Sequence, residues 1–163
     1  MSFTFSTRKR TAVVAAASLI AGIGVSSVLA GPAQAIPYYE RACSFDVQGN
    51  TAVNGWLAVT GSRVTVNNGT VGRNVVVNFN ADAGVDTLSE IRVGYQVDAG
   101  AIQTPGAQNF ANHTEYWQTR HSMVVLDVGP GVHTIQPYWR ISGAVGKNGV
   151  INSRCLTAEA YTY

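Results

Sequence analysis

The stretch Ile91-Arg92-Val93-Gly94-Tyr95-Gln96-Val97-Asp98 decides the fold class, because Ile91, Val93, Tyr95 and Val97 alternate with Arg92, Gly94, Gln96 and Asp98. A period of two sends successive side chains to opposite faces of an extended chain, so this is a strand with one buried face. The same texture continues in both directions. Cys43 to Val47, Gly55 to Val59, Arg63 to Asn67, Asn74 to Asn80, Ser122 to Val128, Val132 to Ile141 and Val150 to Tyr163 complete a set of about eight strands. Asn54-Gly55, Asn68-Gly69, Asp82-Ala83-Gly84, Gly129-Pro130-Gly131 and Asn148-Gly149 read as the turns between them, since such residues accept positive φ. After residue 35 the chain holds 18 Val and 11 Thr, whose β-branched side chains suit a pleated surface. Outside the N-terminal segment only Asp86 to Glu90 suggests a helical turn. Many short strands with regular turns predict an all-β fold: a single antiparallel β-sandwich of about eight strands, jelly-roll-like, with one disulfide.

The N-terminus reads differently from the rest. Arg8, Lys9 and Arg10 precede an uncharged run from Thr11 to Ala30, and Ala33-Gln34-Ala35 supplies the small-x-small pattern of a signal peptidase site. Residues 1–35 are therefore expected to be a cleaved signal peptide and residues 36–163 the β-sandwich domain, secreted to the extracellular side with no membrane insertion after cleavage. The formal charge of the whole chain is +2. Eight Lys and Arg face nine Asp and Glu after residue 35, so the exported part is close to neutral. Arg41, Arg63, Arg73, Arg92, Arg120, Arg140 and Arg154 are dispersed and form no basic stripe, which argues against nucleic acid as a partner.

The two cysteines, Cys43 and Cys155, lie near the two ends of the mature chain. Two thiols so far apart lack the close pairing of a zinc site, and an exported chain matures under oxidising conditions. The expectation is one structural disulfide, tying the first strand to the last.

Three sets of residues could carry function. The longest connection, Gly100 to Thr119, holds Phe110, Tyr116 and Trp117, and long loops in small domains tend to be functional. Aromatic rings supply contact area for sugar rings or protein, so these three are the candidate contact residues. Trp56 and Trp139 are expected in the core. His113, His121 and His133 are the only histidines. They carry the alternative of a small secreted enzyme or a copper or zinc protein, although no His-x-His or His-x-x-x-His spacing supports it. No Gly-x-Ser-x-Gly motif is present, the thiols are committed to the disulfide, and sequence gives no separation between carboxylates such as Asp82, Asp86, Asp98 and Asp127. No catalytic residue and no cofactor are therefore assigned.

Val124-Val125-Leu126-Asp127-Val128-Gly129-Pro130-Gly131-Val132-His133-Thr134-Ile135-Gln136-Pro137-Tyr138-Trp139-Arg140, with Arg154-Cys155-Leu156-Thr157-Ala158, resembles the end of small jelly-roll sandwich domains. Such domains occur on phage-tail and complement/tumour-necrosis-factor-like proteins and in secreted actinobacterial proteins. The resemblance covers about 40 residues and implies a binding or assembly module, often trimeric. Together these features predict a secreted, non-catalytic binding or surface-associated protein. Its partner would be an extracellular protein or a glycan met by the loop 100–119, with room for a homo-oligomer. Inhibition of a secreted hydrolase by the same loop is a further alternative.

Overall fold

A computed structural model describes residues 38–51, 55–104, 109–112 and 117–160, and the expected signal peptide lies outside them. The chain forms β1 (Tyr38–Ser44), β2 (Gln48–Thr51), β3 (Leu57–Ala58), β4 (Val64–Asn67), β5 (Arg73–Val85), β6 (Glu90–Val97), β7 (Ala111–Asn112), β8 (Gln118–Val128), β9 (Val132–Ser142) and β10 (Asn148–Ala160). One sheet runs β1-β10-β5-β8, with β2 also on β10. The other runs β3-β9-β6-β7, with β4 also on β9. β1 and β2 pair with successive parts of β10, and β3 and β4 with successive parts of β9, so each couple acts as one arm broken midway. Counted as arms the strands number eight, ordered 1-8-3-6 in one sheet and 2-7-4-5 in the other. That is the double Greek key of a jelly roll. The all-β, antiparallel sandwich expected from the alternating runs is the fold the chain adopts.

Alternation fills the space between the sheets. Val75, Val77, Phe79, Ala81, Ala83 and Val85 of β5 point inward, opposite Ile91 and Tyr95 of β6 and Ile135, Trp139 and Ile141 of β9. Phe79 and Phe110 join the two layers with ring centroids 5.4 Å apart. The Tyr95 hydroxyl donates to Ser122 Oγ of the opposite sheet at 3.0 Å, and burial pushes its pKa up to about 12. A buried phenol needs such a partner, since an unpaired one would keep its full desolvation cost.

Cys43 and Cys155 are directly opposed on β1 and β10, and they are bonded. Closing a loop of sequence separation 112 removes denatured-state entropy corresponding to about 4–5 kcal/mol.

β10 contains the device that joins the two broken arms. Its pairing with β5 shifts register between Asn152 and Cys155, where Ser153 has φ 39°. One extra residue moves every later side chain to the other face. Inward positions therefore change from Ile151 to Leu156, Ala158 and Ala160, and Arg154 is turned in and fully buried. Its guanidinium donates to Thr60 O at 2.9 Å and Thr60 Oγ1 at 2.7 Å in the β3–β4 break. It also donates to the Asp46 carbonyl and to Asp46 Oδ1 at 3.0 Å in the β1–β2 break.

Several local expectations change. Asp82-Ala83-Gly84 is not a turn but the interior of β5: Asp82 faces out and accepts from Thr119 Oγ1 at 2.7 Å, while Ala83 and Gly84 are buried. Asn148-Gly149 likewise begins β10, paired with Thr51 and Asn50. Asp86 to Glu90 forms a non-helical turn, with Leu88 at φ 62°. The first strand begins at Tyr38 and stops at Ser44, before Phe45 to Val47. The long connection contains β7 and a bridge from Gln103 to Tyr95, and β8 starts at Gln118, ahead of Ser122. Trp139 is in the core, but Trp56 is not. It lies on the outer face of the second sheet, 4.8 Å from the Arg140 guanidinium carbon, and the missing side chain of Gly94 leaves room beneath it, since a Cβ there would lie 2.6 Å from Ile102 Cγ2 and 3.2 Å from the Trp56 ring.

Candidate functional site

Three strand ends meet beside Trp117. Gly149 pairs with Val85 and Val150 with Gly84, and on the other side of β5 Ala83 pairs with Gln118, the residue after Trp117. Asp86 continues from β5 and brackets the start of β10: its N–H donates to Asn148 O at 3.0 Å, and the Asn148 N–H donates to Asp86 Oδ2 at 2.8 Å. Gly149 lets Ile141 of the opposite sheet pack against the start of β10, since a Cβ there would lie 2.3 Å from Ile141 Cδ1. The result is an open cleft of about 300 Å³ lined by Gly84, Val85, Asp86, Trp117, Asn148, Gly149 and Val150. Trp117 is 51% exposed. An indole face beside a carboxylate and an amide can hold a flat apolar surface while the polar groups fix its hydroxyls or amides.

Of the other two candidate contact residues, Tyr116 lies outside the described residues, and Phe110 requires correction. Phe110 is only 7% exposed and packs on Phe79, so the ring closes the core and is withdrawn from any contact surface. Its N–H donates to Ile91 O at 2.7 Å, which fixes the backbone beside β6 and turns the side chain inward.

The two described histidines, His121 and His133, lie on different sheets. His113 lies outside the described residues. His121 sits on the outer face of the first sheet, with Nε2 3.3 Å from Asn78 Oδ1. His133 belongs to the second sheet, at the start of β9. Its Nδ1 is 2.8 Å from Asp98 Oδ2 and its Nε2 is 3.0 Å from Pro130 O. Both ring nitrogens face acceptors, so the protonated ring is favoured. The Asp98 carboxylate, then the Pro130 carbonyl, raise the His133 pKa above its ordinary value. Asp98 is lowered, first by the Thr134 N–H and then by His133. With both nitrogens turned to oxygen acceptors, the ring is poorly placed to ligate a metal or take a substrate proton. Among the described residues no group of three His, Cys, Asp or Glu is placed to hold a metal ion.

Trp117 was legible as a candidate because a large aromatic stands in the longest connection. Asp86, Asn148 and Gly149 were not, since their turn-forming character hides that two of them begin a strand. Only the β5–β10 register brings them beside Trp117.

Fold and cleft together define a small jelly-roll β-sandwich with an aromatic-lined cleft at strand ends. No protein family matches the chain, and no curated protein matches it in sequence. The fold is similar to capsid proteins of infectious bursal disease virus. Against the VP2 subviral particle the TM-score is 0.52 at 10% identity, covering 77% of this chain and 33% of that one. Against the Gt strain it is 0.53 at 10% identity, covering 87% and 36%. The chain thus spans about a third of the length of those proteins, and the likeness is one of fold.

Proposed function

We propose that this is an exported, non-catalytic binding protein whose contact surface is the Trp117 cleft and whose ligand is a carbohydrate. The observation that carries the proposal is the half-exposed Trp117 indole beside Asp86 and Asn148 in a cleft of about 300 Å³. A pyranose offers an apolar C–H face to an indole and hydroxyls to a carboxylate and an amide, whereas a protein partner needs a much broader patch, about 800 Å² per side. The basic, apolar N-terminal segment of the sequence supports export, and an extracellular setting is where such a ligand would be met.

Co-sedimentation with insoluble cellulose, chitin and peptidoglycan tests this. Binding to at least one, weakened about tenfold or more in Trp117→Ala, supports the proposal, since losing a stacked aromatic face removes roughly the energy of a tenfold affinity change. Binding that Trp117→Ala leaves unweakened, or no binding of any of the three by the parent protein, rejects it.

A further inference from the structure

Among the described residues, three of the four sheet edges are interrupted or short. β1 and β2 are parted at residues 45–47, β3 and β4 at residues 59–63, and β7 has only two residues. The fourth edge is β8, an 11-residue strand paired with β5 from Arg73↔Val128 to Ala83↔Gln118 without a register shift. It contains neither Pro nor Lys, and no described strand pairs with its far side. A long regular edge of this kind presents a row of unpaired N–H and C=O groups, which is a template for another strand. Its outer face carries Thr119, His121, Met123, Val125 and Asp127, with Met123 64% and Val125 54% exposed.

We propose that β8 pairs antiparallel with β8 of a second copy of this chain, about a twofold axis at Val124, so that two sheets become one. Directly opposed residues must share a face, which restricts the axis to a residue position. With the axis at Val124, His121 opposes the partner's Asp127 and Met123 opposes the partner's Val125, each pair occurring twice. An axis at Met123 would set His121 against the partner's Val125, and one at Val125 would set Met123 against the partner's Asp127. The Val124 register alone among these matches polar with polar and apolar with apolar on the exposed face. A twofold interface is self-complementary in this way by construction. On strands rising about 3.3 Å per residue, the two Trp117 clefts would lie roughly 45 Å apart along the joint, giving a bivalent particle. The pairing does not depend on what the cleft binds.

Sedimentation equilibrium over a range of protein concentrations is the test. The parent protein shows a reversible monomer–dimer equilibrium. His121→Asp sets carboxylates against each other twice and weakens the dimer about tenfold, and adding Asp127→His to that variant restores it. Both positions are exposed, and the far-ultraviolet circular dichroism of each variant verifies that folding is unchanged. A protein that is monomeric at every concentration overturns the proposal, including one that takes up an unrelated extended peptide along β8. A dimer indifferent to His121→Asp, or one that the double substitution fails to restore, overturns it as well.

Discussion

Asp98 binds three groups of the β9 start at once: Oδ1 accepts the Thr134 N–H at 2.8 Å and the Thr134 hydroxyl at 3.2 Å, and Oδ2 meets His133 at 2.8 Å. It does so from φ 52°, a left-handed conformation that Asp and Asn tolerate better than most residues. The pair makes stability depend on pH in a definite direction. The folded-state pKa of His133 is raised above 6.5, so its contribution is complete below that value and is lost as pH rises through the raised one. Asp98 is lowered below 3.8, so its contribution is present above that value and is lost as pH falls through the lowered one. Both groups are partly solvated, and the effect is modest. Asp98→Asn keeps an acceptor for the Thr134 N–H and removes the charge. The stability advantage of the parent protein over Asp98→Asn, from urea midpoints, should therefore shrink between about pH 5.5 and about pH 8.5. An advantage that is constant or larger at the higher pH contradicts the pairing. Position 133 shows why a histidine is hard to read from sequence. Alternation puts it on the same side of β9 as Ile135 and Trp139, but its partners come from Asp98, after β6, and from a turn, which only the fold brings together.

At the scale of elements, the alternating strands were legible because each buries one face, and β6 and β9 keep their period throughout. The interruptions were not. Ser153 is not a residue type that announces a bulge, and Arg154 in an alternating run reads as an outward charge. The bulge inverts that expectation, and the inverted arginine binds the breaks in two arms that lie far apart in sequence. Replacing Arg154 by Met removes a fully buried guanidinium and its part-buried hydrogen bonds to Thr60 and Asp46, which costs about 2 kcal/mol. Asp46→Asn should cost less, because the Asp46 side chain is 64% exposed. Urea unfolding of both variants checks the order. Equal stability of Arg154→Met and the parent would show that the arms hold together without it.

At the scale of the whole molecule, turn-separated runs made an all-β sandwich legible, whereas the order of the arms is set by the long-range pairing of β1 with β10 and β3 with β9. The cleft belongs to the way three strand ends coincide, to which no single stretch of sequence points. Its one advertised member, Trp117, is preceded in the chain by residues outside the described set, while its neighbours in space come from β5 and β10. The disulfide and Arg154 tie the opposed arms of the first sheet together, and β5 and β10 of that sheet line the cleft. The most direct test is a titration with soluble cello- and chito-oligosaccharides and muropeptides, followed through the indole N–H resonances of the 3 tryptophans. The account predicts that the Trp117 resonance shifts while those of Trp56, held over Gly94, and Trp139, buried in the core, stay in place. A Trp117 resonance that stays still throughout, or a shift confined to Trp56, would contradict it.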